Sequence, residues 1–389
     1  MATLPFEELS PADLRTRTSL KWRHHGPDVI PVWVAEMDVS LAPEVVDALV
    51  RAARIGDTGY PAAGRDYAQA FAQFAQRTWD WAPAPADTVM CADVMTGVRT
   101  LLDALVPPGG SVVVPVPVYP PFLMVAEMGD RTATPVPLTP AGRLDLPAIE
   151  EALGRSSAAV VLLCNPHNPT GTVHTAGELT ALATIADALG VAVVSDEIHA
   201  PLVPDGATFV PWLAVSDSGF TVTSAAKAWN LAGLKAGLIA AGPQSRAALR
   251  ALPGHLPYGA SHIGVIGHTA GWLADPAWLG AVNANIAANR DLLRTLLAET
   301  LPEIGYRVPQ ATYLAWLDCR ALDLGDDPAE AFLRRGRVAL TQGPPFGPGG
   351  QGHARLNLAC SSAVLSEAVD RMRATVALGS VVPGAVVPG

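Results

Sequence analysis

Lysine is scarce in this chain. Of its 26 basic residues only Lys21, Lys227 and Lys235 are lysine, in 389 residues with a formal charge of −10. A sequence that leaves solvation to arginine has little reason to set two lysines eight apart in SAAKAWNLAGLKAG. An amine, unlike a guanidinium, can lose its proton and form a Schiff base, so Lys227 or Lys235 is the expected chemical residue. Other polar groups stand where apolar runs stop. The turn CNPHNPTG displays Asn168, SDEIH puts Asp196 at the end of VAVV with His199 just beyond, and SAAK adds Ser224 beside Lys227. An amide, a carboxylate and an amine at successive strand ends could converge on one heteroaromatic ligand. Pyridoxal phosphate (PLP) needs that set. An aspartate keeps its ring nitrogen protonated, an amide donates to the ring oxygen, and a lysine takes the aldehyde carbon. Its phosphate needs backbone N–H groups, hydroxyls and a cation.

The elements that must position these groups follow from periodicity. PEVVDALVRAA (43–53) is helical, VRTLLDALV is a helix ending at 107–110, and GELTALATIADALG is a helix that stops at Gly190. Between and beyond them SVVVPVPVY, AAVVLLCNP, VAVVSDEIH and GFTVTSAAK read as strands. Such alternation predicts βαβ units: an α/β fold with a mainly parallel sheet and flanking helices, its chemistry at the carboxyl ends of the strands. Residues 281–301 form a long amphipathic helix. ATYLAWLD, a helix near 328–336, a Gly/Pro-rich loop (343–352) and ARLNLAC then suggest a smaller α+β domain. The expected division is an arm at 1–42 joining the small domain, a large domain at 43–280, a small domain at 281–378 and a fraying tail at 379–389.

Ser224 to Gly237 resembles the lysine signature of class I/II aminotransferases, the fold-type I PLP enzymes, with Lys235 where arginine is usual. NPHNPTG resembles the family's NPxNPTG turn and SDEIH its aspartate segment, with Asn168 and Asp196 spaced as the family requires. The resemblance implies further roles. Thr96-Gly97-Val98 matches the phosphate-cradling turn at a helix start, through the N–H groups of Gly97 and Val98. Tyr119, in PVPVYPPF, matches the aromatic residue stacked on the cofactor ring, here also assigned a catalytic part. Tyr60, in TGYPAAG, matches the tyrosine that reaches the neighbouring subunit's phosphate, which implies a homodimer with shared sites. Arg355, in HARLNLAC, matches the arginine that holds the substrate α-carboxylate, with Ala35 and Tyr60 also on the substrate side. His199 lies where many relatives carry tyrosine, and Ser224 and Lys235 complete the phosphate contacts. RTRTSLKW…VIPVWVAEMD, DEIH and YLAWLD resemble the MalY/PatB group of cystathionine β-lyases, or C–S lyases. The implied reaction is α,β-elimination from cystathionine or a cysteine S-conjugate, with Lys227 as base and Asp196 as ring partner. An aminotransferase of the same fold, or a non-catalytic PLP-binding regulator, are the alternatives.

Composition narrows the rest. An excess of acidic over basic residues argues against a nucleic-acid surface. No apolar run is long enough for a membrane span, and MATLPFEELSPADLRTRTS lacks the apolar core of a signal peptide, so a cytoplasmic protein is expected. Cys91, Cys164, Cys319 and Cys360 lie far apart, as reduced thiols would, and no metal-ligand spacing is present. The glycine-rich stretch at 343–352 follows no strand in dinucleotide-binding register and is expected at the edge of the substrate entrance.

Overall fold

The computed structural model describes residues 4–379 apart from 63, 156, 157 and 205. A short β1 (Ile30–Pro31) precedes seven strands that form one sheet. They are β2 (Thr88–Cys91), β3 (Ser111–Val116), β4 (Thr132–Pro137), β5 (Ala158–Cys164), β6 (Ala192–Asp196), β7 (Phe220–Thr223) and β8 (Gly237–Ala241). Their spatial order is β2-β8-β7-β6-β5-β3-β4. From β7 to β4 every pair is parallel, while β8 runs antiparallel to both neighbours.

Strand alternation splits the core of this sheet in two. Val112, Val114, Val160, Leu162 and Val194 pack in one apolar cluster, and Val113, Val161, Leu163 and Val193 in another. Both faces are therefore covered by helices, which is why these strands read as unbroken apolar runs. Helix termini carry matching local signals. Thr175 and Glu178 form a capping box on the helix Ala176–Leu189, which ends at Gly190 in the left-handed region (φ 66°).

Beyond the large sheet the chain makes a second, antiparallel one. β9 (Gly305–Tyr306), β10 (Leu314–Asp318), β12 (Thr341–Gln342) and β13 (His353–Asn357) lie in the order β12-β13-β10-β9, and β11 (Val338–Ala339) pairs in parallel with β1. The N-terminal segment is thus tied to the second module by strand pairing. All strands of the large sheet fall within 43–280, and β9 to β13 within 281–378. The helix Pro276–Thr300 runs unbroken across residue 280, starting five residues before the expected helix at 281, because Asp275 caps it by accepting the Ala277 N–H and Pro276 fits its first turn. Residues 380–389, nearly all of the expected tail, lie outside the described residues.

Candidate active site

The parallel strands deliver their polar groups to one edge. Tyr119 follows β3 by three residues, Asn168 follows β5 by four, Asp196 ends β6 and Lys227 follows β7 by four. Side chains that close a strand at its carboxyl end face the crevice there. Arg355 arrives from the other module, on β13, with Thr341 and Trp316 beside it in register.

Hydrogen bonds and electrostatics connect these residues. Lys227 Nζ donates to the Ala35 carbonyl at 3.0 Å, and the Tyr313 hydroxyl donates to the same oxygen at 3.0 Å. Burial lowers the Lys227 amine to about 8, helped by Arg355 and opposed by Glu36 and Asp196. Asp196 is buried, and burial raises its carboxyl to about 7 against the Ile198 N–H, which it accepts at 3.0 Å, and the charge of Lys227. No basic side chain among the described residues comes within ion-pair distance of it. Arg355 is 4% exposed and donates from Nη1 to Asn168 Oδ1 at 3.0 Å and from Nη2 to Thr341 Oγ1 at 3.2 Å. Its guanidinium lies 5.2 Å from the centroid of the Phe346 ring, while Nε has no partner among the described residues. Burial lowers it to about 10. With Asn168 Oδ1 engaged by Arg355, the amide N–H₂ is left to face the crevice. His199 is buried, and burial, Lys227 and Arg355 hold it well below the ordinary imidazole range, so the ring is neutral. It meets Tyr313 edge-on at 6.2 Å, and its Nδ1 has no partner among the described residues. The Tyr119 phenol is raised chiefly by burial and feels both Arg355 and Asp196, while its N–H donates to the Asn168 carbonyl at 3.1 Å.

A buried carboxyl without a cation, a half-buried amine of lowered basicity, an amide held through its oxygen and a guanidinium N–H without a partner among the described residues fit PLP and an amino acid. Asp196 would face the ring nitrogen, Lys227 the aldehyde carbon and Arg355 a carboxylate.

The phosphate end differs from expectation. The helix expected to begin at Thr96-Gly97-Val98 begins earlier, at Val94, with Asp93 as its cap accepting the Thr96 N–H at 2.8 Å. The Gly97 N–H is consumed inside the helix by the Asp93 carbonyl at 3.0 Å, and Val98 is fully buried. Gly97 is glycine for a packing reason. A Cβ there would lie 2.9 Å from Val222 and 3.0 Å from the Cys91 sulfur. In an α-helix that starts at Val94 the N–H groups without an intrahelical partner belong to its first turn, so any anion met by this helix start would lie before Gly97. Lys235 reaches the same helix start and pairs with Asp93 at 3.0 Å. Ser224 is buried, and its hydroxyl donates to the Ala236 carbonyl at 2.7 Å, which commits its proton within the protein.

Tyr60 stands apart, 88% exposed. The loop at 343–352 contributes more than an edge, since Phe346 is fully buried beneath Arg355 and against Trp316. Asp93, Tyr313, Thr341 and Phe346 were not singled out from the sequence. Tyr313 lies in the quoted YLAWLD stretch, and Asp93 precedes a helix in the manner of a cap, so both had a local signal. The two others had none.

Comparison with known proteins places this geometry. The profile of the family "Aminotransferase class I and II" matches residues 27–372, and the chain belongs to that family. Its fold is the fold-type I architecture of PLP-dependent enzymes, and it is itself PLP-dependent. Within the family its relatives include the cystathionine beta-lyase PatB of Bacillus subtilis, 32% identical over 371 residues, covering 92% of this chain and 96% of PatB. A Mycobacterium tuberculosis protein, provisionally named a cystathionine beta-lyase, is 48% identical over 396 residues, covering 95% of this chain and 97% of its own. A solved structure from Corynebacterium diphtheriae, described as a candidate PLP-dependent beta-cystathionase, superposes with a TM-score of 0.91 at 34% identity, covering 96% and 99% of the two chains. Among the described residues no helix is long and apolar enough to cross a membrane.

Proposed function

We propose that the protein is a carbon–sulfur β-lyase acting on L-cystathionine or a related cysteine S-conjugate, with thiol, pyruvate and ammonia as products. The observation that carries the chemistry is the Lys227 amine, half-buried, lowered to about 8, and set between Asp196, Arg355 and the Ala35 carbonyl. The preference for elimination rests on whole-length likeness to relatives named for cystathionine β-lyase activity.

PLP, when bound, supplies the electron sink for charge left at the substrate Cα. The chain does the rest. Arg355, with its unpartnered Nε–H and its stack on Phe346, holds the α-carboxylate as a planar fork. Near neutral pH the lowered basicity of Lys227 gives it a usable unprotonated fraction, so it takes the Cα proton and returns one to the departing sulfur. Asp196 prefers neutrality while alone, and a cationic ring nitrogen facing it would restore its charge and hold that proton in place. Asn168, oriented by Arg355, donates to the ring oxygen, and Tyr119 covers the ring face. Neutral His199 fills the side of the pocket beside Tyr313. Tyr60, nearly fully exposed, is in the state expected of a side chain that a second copy covers, and we take the enzyme to be a homodimer with Tyr60 reaching the partner's site.

The test mixes PLP-loaded protein with L-cystathionine, without keto acid, and follows pyruvate alongside the cofactor's visible absorbance. Pyruvate far exceeding enzyme, with the band restored, is the expected result. One equivalent of conversion that leaves pyridoxamine phosphate, recharged by a keto acid, would make the protein an aminotransferase.

A further inference from the structure

Residues 32–38 pass beside the site without helix or strand. Backbone in such a segment must find partners elsewhere. Here five consecutive carbonyls, Trp33 to Met37, each accept from a side chain. Thr341 Oγ1 donates to Trp33 at 2.7 Å, and Asn357 Nδ2 to both Val34 at 2.8 Å and Glu36 at 2.7 Å. The middle carbonyl, Ala35, takes Lys227 and Tyr313. Met37 is read twice, because Asn230 Oδ1 accepts its N–H at 2.8 Å while Asn230 Nδ2 donates to its carbonyl at 3.0 Å. One side-chain amide thus stands in for a strand partner.

The placement of the two asparagines is informative. Asn230 follows Lys227 by three residues and sits in the left-handed region at φ 58°, a conformation that asparagine tolerates better than most non-glycine residues. Asn357 follows Arg355 by two residues on β13 and is fully buried. Lys227 and Arg355 therefore each have, close by in the chain, an amide that grips the same strap. The grips at Val34, Glu36 and Met37 flank Ala35 on both sides.

We propose that Asn230 and Asn357 are positioning residues that hold the 33–37 strap so that the Ala35 carbonyl faces the Lys227 amine and the substrate. The kinetic part of this inference rests on the lyase reading above, and the structural part does not. Lys227 stands on its own segment, whereas between Val32 and Asp38 the strap is held mainly by side chains: these amides, with Arg17 donating to the Met37 carbonyl at 3.1 Å, Lys21 to Glu36 at 3.2 Å and Arg355 to Trp33 at 3.4 Å. Loosening it therefore acts mainly on substrate binding.

Asn230→Gly is the informative variant, since glycine accepts φ 58° without strain and removes only the amide. In the PLP-loaded enzyme, hydrogen–deuterium exchange of the peptide spanning 33–38 should accelerate at least about tenfold, with β6 unchanged. KM for L-cystathionine should rise about tenfold with kcat within about threefold. Asn230→Asp keeps the acceptor but turns an oxygen toward the Met37 carbonyl, and should reproduce both effects. Unchanged exchange in both variants overturns the proposal. So does faster exchange with wild-type KM. If the wild type releases no pyruvate, the lyase reading fails and the exchange measurement alone decides the clamp.

Discussion

Arg355→Lys isolates what a fork contributes over a point charge. Arg355 is buried against Asn168, Thr341 and the Phe346 ring, with Nε still open. Lysine keeps the charge but cannot offer two parallel N–H groups to a carboxylate or stack flat on Phe346. Losing one charge-assisted hydrogen bond removes about 1.5–3 kcal/mol. Losing the stacked cation removes a further ~0.5–1 kcal/mol. The sum, about 2–4 kcal/mol, corresponds to a fall in kcat/KM of roughly 30- to 1,000-fold. Steady-state pyruvate release should show it with L-cystathionine. A substrate analogue whose α-carboxylate is an amide should lose little further between wild type and variant, because the contact is absent in both. A loss of less than threefold with the acid substrate, or an equal loss with both substrates, would refute carboxylate binding by Arg355. Arg355→Met adds a control on folding. It removes a buried cation with which no carboxylate among the described residues pairs, so the cofactor-free variant should melt no lower than wild type.

Three other outcomes follow from the same geometry. Gly97→Ala should destabilise the protein by about 1–3 kcal/mol in denaturant titration, because its methyl meets Val222 and Cys91, and unchanged stability would return Gly97 to a purely ligand-facing role. Lys21→Met should cost about 3–5 kcal/mol, since it strands Asp38, with which Lys21 makes a buried pair at 2.8 Å, and a neutral effect in the same titration would show that the pair is dispensable. Glu197, buried and accepting from Ser195 and Trp212, has its carboxyl raised by burial to about 8 from an ordinary 4.5. It keeps a proton in the fold that the unfolded chain releases, so its contribution is fully present below about pH 4.5 and lost as pH rises through about 8. Glu197→Gln should raise the melting temperature more at pH 8.5 than at pH 6, and an equal change at both would contradict the assignment.

Sequence by itself determined four neighbouring parallel strands of the large sheet, β3, β5, β6 and β7, and pointed to three polar residues that the structure sets at their carboxyl ends. Buried parallel strands need apolar residues on both faces, so AAVVLLC and VAVVSD announced themselves, and Asn168, Asp196 and Lys227 could be read as the points where those runs stop. The scarcity of lysine singled out Lys227 without reference to any fold. Tertiary structure decided everything that depends on distance between separated segments. That Thr341 and Phe346 support Arg355, that Ala35 faces Lys227, and that two asparagines hold the strap are contacts across up to some three hundred residues, with no local period to reveal them. The helix start expected to meet the phosphate shows the same limit at short range. Gly97 was legible as a glycine of consequence, but only the packing of its helix on β7 and β8 shows that the missing side chain makes room for Val222 and Ile239, and only the helix bounds show that Gly97 lies inside the helix, past its first residue Val94.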